Sequence, residues 1–88
     1  MAAPIWEVFN NIGLNSESHF RERDAAVQHL LGNCNAVWIA NPGSYWRIDA
    51  WQNLGGIRMT IRAGPGANSN ELADFSLIER SLSDFLQF

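Results

Sequence analysis

Hydrophobic positions along the chain change period twice, and the changes divide it into helical and extended stretches. Pro4 suits the first turn of a helix, so Ile5-Trp6-Glu7-Val8-Phe9 reads as a short helix ending by Gly13. Asn15 and Ser16 are N-cap residue types, and Glu17 is placed to favour a helix dipole. A second helix is therefore expected from about Glu17 to Leu31, closed by Gly32. At about 100° per residue, Phe20, Val27, Leu30 and Leu31 share its apolar face, with Arg23 near the middle of that stripe.

From Ala36 the period becomes two. Val37-Trp38-Ile39, Tyr45 to Trp51, and Ile57 to Arg62 read as three strands. Asn41-Pro42-Gly43-Ser44 and Asn53-Leu54-Gly55-Gly56 are turn signals between them, and turns this short imply an antiparallel meander. After the Gly/Pro-rich connection 63–67, with Asn68 or Asn70 as cap, a last helix is expected. Its stripe is Leu72, Phe75, Ile78, Leu82, Phe85 and Leu86. The expected fold is a single two-layer α+β domain over residues 1–88: a three-stranded antiparallel meander with helices on one face, in the order α-α-β-β-β-α.

Register decides which strand residues share a face. Turns centred on Pro42-Gly43 and Leu54-Gly55 set Ile39 opposite Trp46, Ala50 opposite Met59 and Ile48 opposite Ile61. Val37, Ile39, Trp46, Ile48, Ala50, Ile57, Met59 and Ile61 then form the inner face. The outer face carries Trp38, Tyr45, Arg47, Asp49, Trp51, Arg58, Thr60 and Arg62. In this register Arg47 lies opposite Arg62, a like-charge neighbour pair that something must offset.

Composition sharpens the picture. The chain has 88 residues, 47% hydrophobic and 17% charged, with a net charge of −3. That is one domain's worth of chain, too apolar for disorder, and no apolar run approaches the roughly 18 residues of a membrane span. The N-terminal residues lack the basic start and apolar stretch of a secretory signal. Cys34 stands alone, which excludes an internal disulfide framework and points to a reducing, cytoplasmic setting. All six basic residues are arginine. The acidic balance argues against general nucleic-acid binding.

Catalytic chemistry finds no motif. His19 and His29, ten residues apart on one expected helix, lack metal-ligand spacing, and Cys34 follows a helix C-terminus, which disfavours a thiolate. No nucleophile elbow, paired-cysteine, zinc-protease or phosphate-loop pattern is present. The expectation is a non-enzymatic binding protein of the inhibitor, adaptor or immunity type, without cofactor, metal or catalytic residues. It would recognise a protein partner through Trp38, Tyr45, Arg47, Trp51, Arg58 and Arg62, since tryptophan and arginine are enriched at interface hot spots. A second reading makes Arg47 and Arg62 a clamp for anions or single-stranded nucleic acid. A third is a small enzyme or an enzyme's accessory subunit. Leu77 and Phe88 project from the expected last helix away from its stripe, as paired helices in a homodimer would require.

Overall fold

The computed structural model describes residues 4–51, 56–66 and 68–80, with backbone only for 50 and 51. Its elements are β1 (Ile5–Asn10), β2 (Asn15–Phe20), α1 (Arg23–Ala40), β3 (Tyr45–Trp51), β4 (Gly56–Arg62) and β5 (Glu71–Arg80). The strands form one antiparallel sheet in the order β2-β1-β5-β4-β3. The observed order β-β-α-β-β-β replaces the expected three-stranded meander with its helices. Strands β3 and β4 lie where the alternation put them; the elements around them differ.

Each difference has a local cause. Ile5 to Phe9 is too short to tell a helical period from an alternating one, and its β-branched and aromatic residues favour a strand. As β1 it turns Trp6 and Val8 to one side and Glu7 to the other. Asn10 then makes the turn, its side-chain oxygen accepting the N–H groups of Ile12 and Gly13, both at 3.0 Å. The stretch expected to begin the second helix is instead β2, and α1 starts six residues later with Arg23. Arg23 lies over the Trp6 ring at 5.7 Å from its centroid, in cation–π contact, not inside an apolar stripe.

The helix also runs past Gly32, through Val37-Trp38-Ile39, to Asn41 and Pro42. Asn41 closes it: its backbone N–H donates to the Trp38 carbonyl at 3.2 Å and its side-chain amide to the Val37 carbonyl at 2.7 Å. Pro42 cannot continue the ladder. Val37, Trp38 and Ile39 are therefore helical, not a strand.

β5 overturns the last expected helix. Leu72, Phe75 and Ile78 suggested a helical period, yet Ala73, Phe75 and Leu77 alternate with Asp74 and Ser76. Burial between β1 and β4 selects the alternation. Leu77, expected on a solvent-facing helix side, is fully buried in the core. It cannot join a second copy as proposed from the sequence. Phe88, with Leu82, Phe85 and Leu86, lies outside the described residues.

The core lies between α1 and one sheet face. Ala26, Leu30 and Cys34, spaced four apart, are fully buried on the helix and meet Val8, Ile61 and Leu77, with Trp6, Met59, Ala73 and Phe75 around them. Small residues at 26 and 34 let the helix approach closely. It lies mainly across β5, β4, β1 and β2, which leaves β3 largely beyond its cover. No helix among the described residues is long and apolar enough to cross a membrane.

Candidate functional site

The sheet face opposite the helix carries the charges. The β3–β4 register differs from expectation by two residues: Ala50 pairs with Ile57, Ile48 with Met59 and Trp46 with Ile61. An even shift keeps every side chain on its expected face but changes every neighbour. Asp49 now lies opposite Arg58, Arg47 opposite Thr60 and Tyr45 opposite Arg62. This register removes the Arg47–Arg62 confrontation and supplies a carboxylate instead.

Around this register each arginine of the face finds an acid. Arg58 holds Asp74 bidentately: Nε donates to Oδ1 at 2.9 Å and Nη2 to Oδ2. Asn11 donates from Nδ2 to the same carboxylate at 2.9 Å and to Ser76 Oγ at 2.8 Å. Asp74 is only 2% exposed. Burial, the largest single influence, pushes its carboxyl up, but the bonds from Arg58 and Asn11 outweigh burial and hold it below the ordinary value. The reciprocal bond with Asp74 holds the Arg58 guanidinium still more firmly protonated.

Two further clusters flank this centre. Arg62 donates to Glu71 at 3.3 Å, to Ser69 Oγ at 3.2 Å and to the Ser69 carbonyl at 3.1 Å. Toward the other edge, Arg80 and His19 both reach the buried Glu7, at 3.3 and 3.2 Å. Arg47 pairs with Asp49 at 3.3 Å, and this pair is largely open to solvent. The face is thus a self-neutralised network. Arg47 and Arg62 are not directly opposite each other: Arg47 faces Thr60 and Arg62 faces Tyr45.

Of the expected recognition residues, Tyr45, Arg47, Arg58 and Arg62 share the outer face, and Trp51 continues β3 at the same parity. Trp38 does not join them. It belongs to the last turns of α1, on the other side of the sheet, where its ring packs against Trp46 at 6.0 Å and an interplanar angle of 60°. His19 and His29 lie on β2 and α1, not on one helix. Among the described residues no group of three His, Cys, Asp or Glu is placed to hold a metal ion. The Cys34 thiol, pushed up to about 11 by burial and by the nearby Asp74 charge, stays protonated.

The feature that sequence reading missed is the rim of the molecule along β3. The alternation expects Ile48 inward, and it is on the helix side, yet it is 56% exposed because the helix does not reach over this strand. Ile39 at the helix end is 66% exposed, Trp38 43% and Tyr45 49%. Between α1 and β3 an open depression of about 350 Å³ is lined by Gln28, Leu31, Gly32, Asn35 and Trp46. Among the described residues no acid, base or nucleophile lines it. The signal that could have located this rim is strand order: a strand at the sheet edge has half the cover of a central one.

The two sheet edges also differ. The β1–β2 ladder is interrupted by a register shift between Val8 and Phe9, and β2 is polar: Asn15-Ser16-Glu17-Ser18-His19-Phe20. The β3–β4 ladder runs through seven consecutive pairs with no irregularity, and β3 contains neither proline nor lysine. A regular, partly apolar edge is a ready template for another strand. Comparison of the chain with protein-family models, with curated proteins and with solved structures gives no match.

Proposed function

We propose that this chain is a small, non-enzymatic protein-binding module that takes its partner along the β3 rim. The strip consists of the β3 edge, the Trp38 and Ile39 end of α1, and Tyr45, Arg47 and Ile48. The observation that carries this reading is the exposure of Tyr45 and Ile48 on the edge strand β3 together with that of Trp38 and Ile39 at the end of α1. Single exposed hydrophobics are ordinary on a small domain; aromatics and isoleucines exposed on an edge strand, with Trp38 packed beside it on Trp46, favour an interaction surface. Trp, Tyr and Arg supply the anchor types found at interface hot spots. The recognition surface moves from the arginines of the outer face, which are matched by acids of their own, to the edge of the sheet.

Site-specific photo-crosslinking tests this. A benzophenone side chain replaces Ile48 on the rim or, as control, Ser16 on the opposite edge, in the full chain in a cell extract. The expected result is an adduct of one defined mass from position 48, absent from position 16 and suppressed by Trp38→Ala. Equal adduct patterns from both positions, or none from position 48, overturn the reading.

A further inference from the structure

We infer that the partner of this rim is a second copy of the chain, joined β3 to β3 antiparallel about a two-fold axis at Ile48. This rests on the reading of the rim as the binding surface and gives its partner an identity.

The residue order of β3 carries the inference. Tyr45-Trp46-Arg47-Ile48-Asp49-Ala50-Trp51 is self-complementary about its centre. In an antiparallel pair centred on Ile48, each residue meets the one equidistant from the axis. Arg47 faces Asp49 of the second copy, and Asp49 faces its Arg47. Trp46 takes the register position opposite Ala50, Tyr45 that opposite Trp51, and Ile48 meets itself on the helix side. Opposite charges and aromatic pairs are the favourable cross-strand neighbours of a sheet. A two-fold interface requires this kind of self-complementarity.

Competing registers are disfavoured by the same residues. A slip of two positions one way sets Arg47 against Arg47; the other way sets Asp49 against Asp49. A slip of one position brings the polar face of one strand to the apolar face of the other. The pairing of Arg47 with Asp49 at 3.3 Å within one chain already holds both groups on the outer face, each about half exposed. In the dimer they become an alternating square of four charges, two from each strand. On the helix side, Ile48, which α1 fails to cover, loses its exposure to water. The shielding present on β2, a ladder shift and a polar sequence, is missing from β3 alone among the two edges.

Charge reversal reads this register directly. Arg47→Asp leaves only acids at the two positions, and Asp49→Arg only arginines, so each variant alone should sediment as a monomer. Mixed in equal amounts, they should recover the dimeric mass of the parent chain. The double variant Arg47→Asp/Asp49→Arg should dimerise by itself. A cysteine at Ile48 adds a register ruler that does not depend on affinity. Facing residues in an antiparallel pair lie about 4.5–5.5 Å apart at Cα, within disulfide reach. Mild oxidation should therefore link Ile48→Cys to itself but not Arg47→Cys, whose counterpart lies beyond about 7 Å. Cys34, fully buried, does not compete.

A monomeric parent chain at high concentration, with no Ile48→Cys link, overturns self-pairing. A dimer that persists in both single charge variants overturns it too, because the interface then lies elsewhere. If either result accompanies a position-48 photoadduct with a different protein, the rim still stands as the binding surface and only its partner changes. If position 48 also yields no adduct, both inferences fall.

Discussion

Replacing Asp74 by asparagine isolates the electrostatic centre of the sheet at nearly constant shape. In the parent chain the 2%-exposed carboxylate accepts two N–H groups from Arg58 and one from Asn11. Hydrogen bonds to a charged group contribute roughly 1.5–3 kcal/mol each, but these are coupled, and Arg58, whose side chain is 41% exposed, regains water when released. A loss of about 2–3 kcal/mol follows, on the order of 10–20 °C in Tm for a domain of this size. Urea unfolding followed by tryptophan fluorescence measures it. Glu17→Ala, which removes an exposed bond from Asn10 at the opposite edge of the sheet, serves as control and should cost no more than about 0.5 kcal/mol. The pH dependence gives a second reading. Because the folded carboxyl is held below its unfolded value of about 3.9, its contribution is complete above that pH and disappears as pH falls through the lower folded value. The difference between parent and variant should therefore shrink in acid. A variant no less stable than the Glu17→Ala control, or a difference constant from pH 7 to pH 2, would show that the buried carboxylate does not carry this stability.

Three further outcomes follow from particular positions. Gly32 lies inside α1 with open space where a Cβ would stand, so Gly32→Ala should raise stability by about 0.5–1 kcal/mol in the same urea assay. Cys34 keeps its proton up to about pH 11, whereas the unfolded thiol ionises near 9. Its contribution is thus complete below pH 9 and falls away by about 1.4 kcal/mol per pH unit up to 11. Cys34→Ala should flatten this alkaline limb, which a chain without lysine exposes with little interference. Leu30→Ala, at a fully buried site against Val8, Ile61 and Leu77, should cost about 2–5 kcal/mol by denaturant titration.

What the sequence reveals of this fold is what is local and unambiguous in period. The alternation of Tyr45 to Trp51 and of Ile57 to Arg62 locates β3 and β4 and assigns their faces correctly, even with the register two residues off, because parity survives an even shift. Where two periods compete, the local reading fails. Glu71-Leu72-Ala73 are good helix formers, and only the distant pairing of β5 with β1, from the other end of the chain, makes it a central strand. Gly32 imitates a helix cap, and Val37-Trp38-Ile39 imitates a strand, because neither residue type reports the stop at Asn41-Pro42. The site was half legible for the same reason. Tyr45 and Arg47 could be placed from the alternation, but Trp38 was carried to the wrong side with its misassigned element. The exposure of Ile48 depends on strand order, which no local pattern contains. The charge symmetry of β3 about Ile48 was present in the residues throughout; it acquires meaning only once β3 is seen to be an edge.

Hydrogen exchange of the β3 backbone at low and high chain concentration distinguishes a self-paired β3 from a free edge. Self-pairing predicts that alternate amides of 45–51, those directed away from β4, exchange more slowly as concentration rises, while β2 amides stay unchanged. Exchange of β3 that is independent of concentration, or equal protection gained on β2, would contradict it.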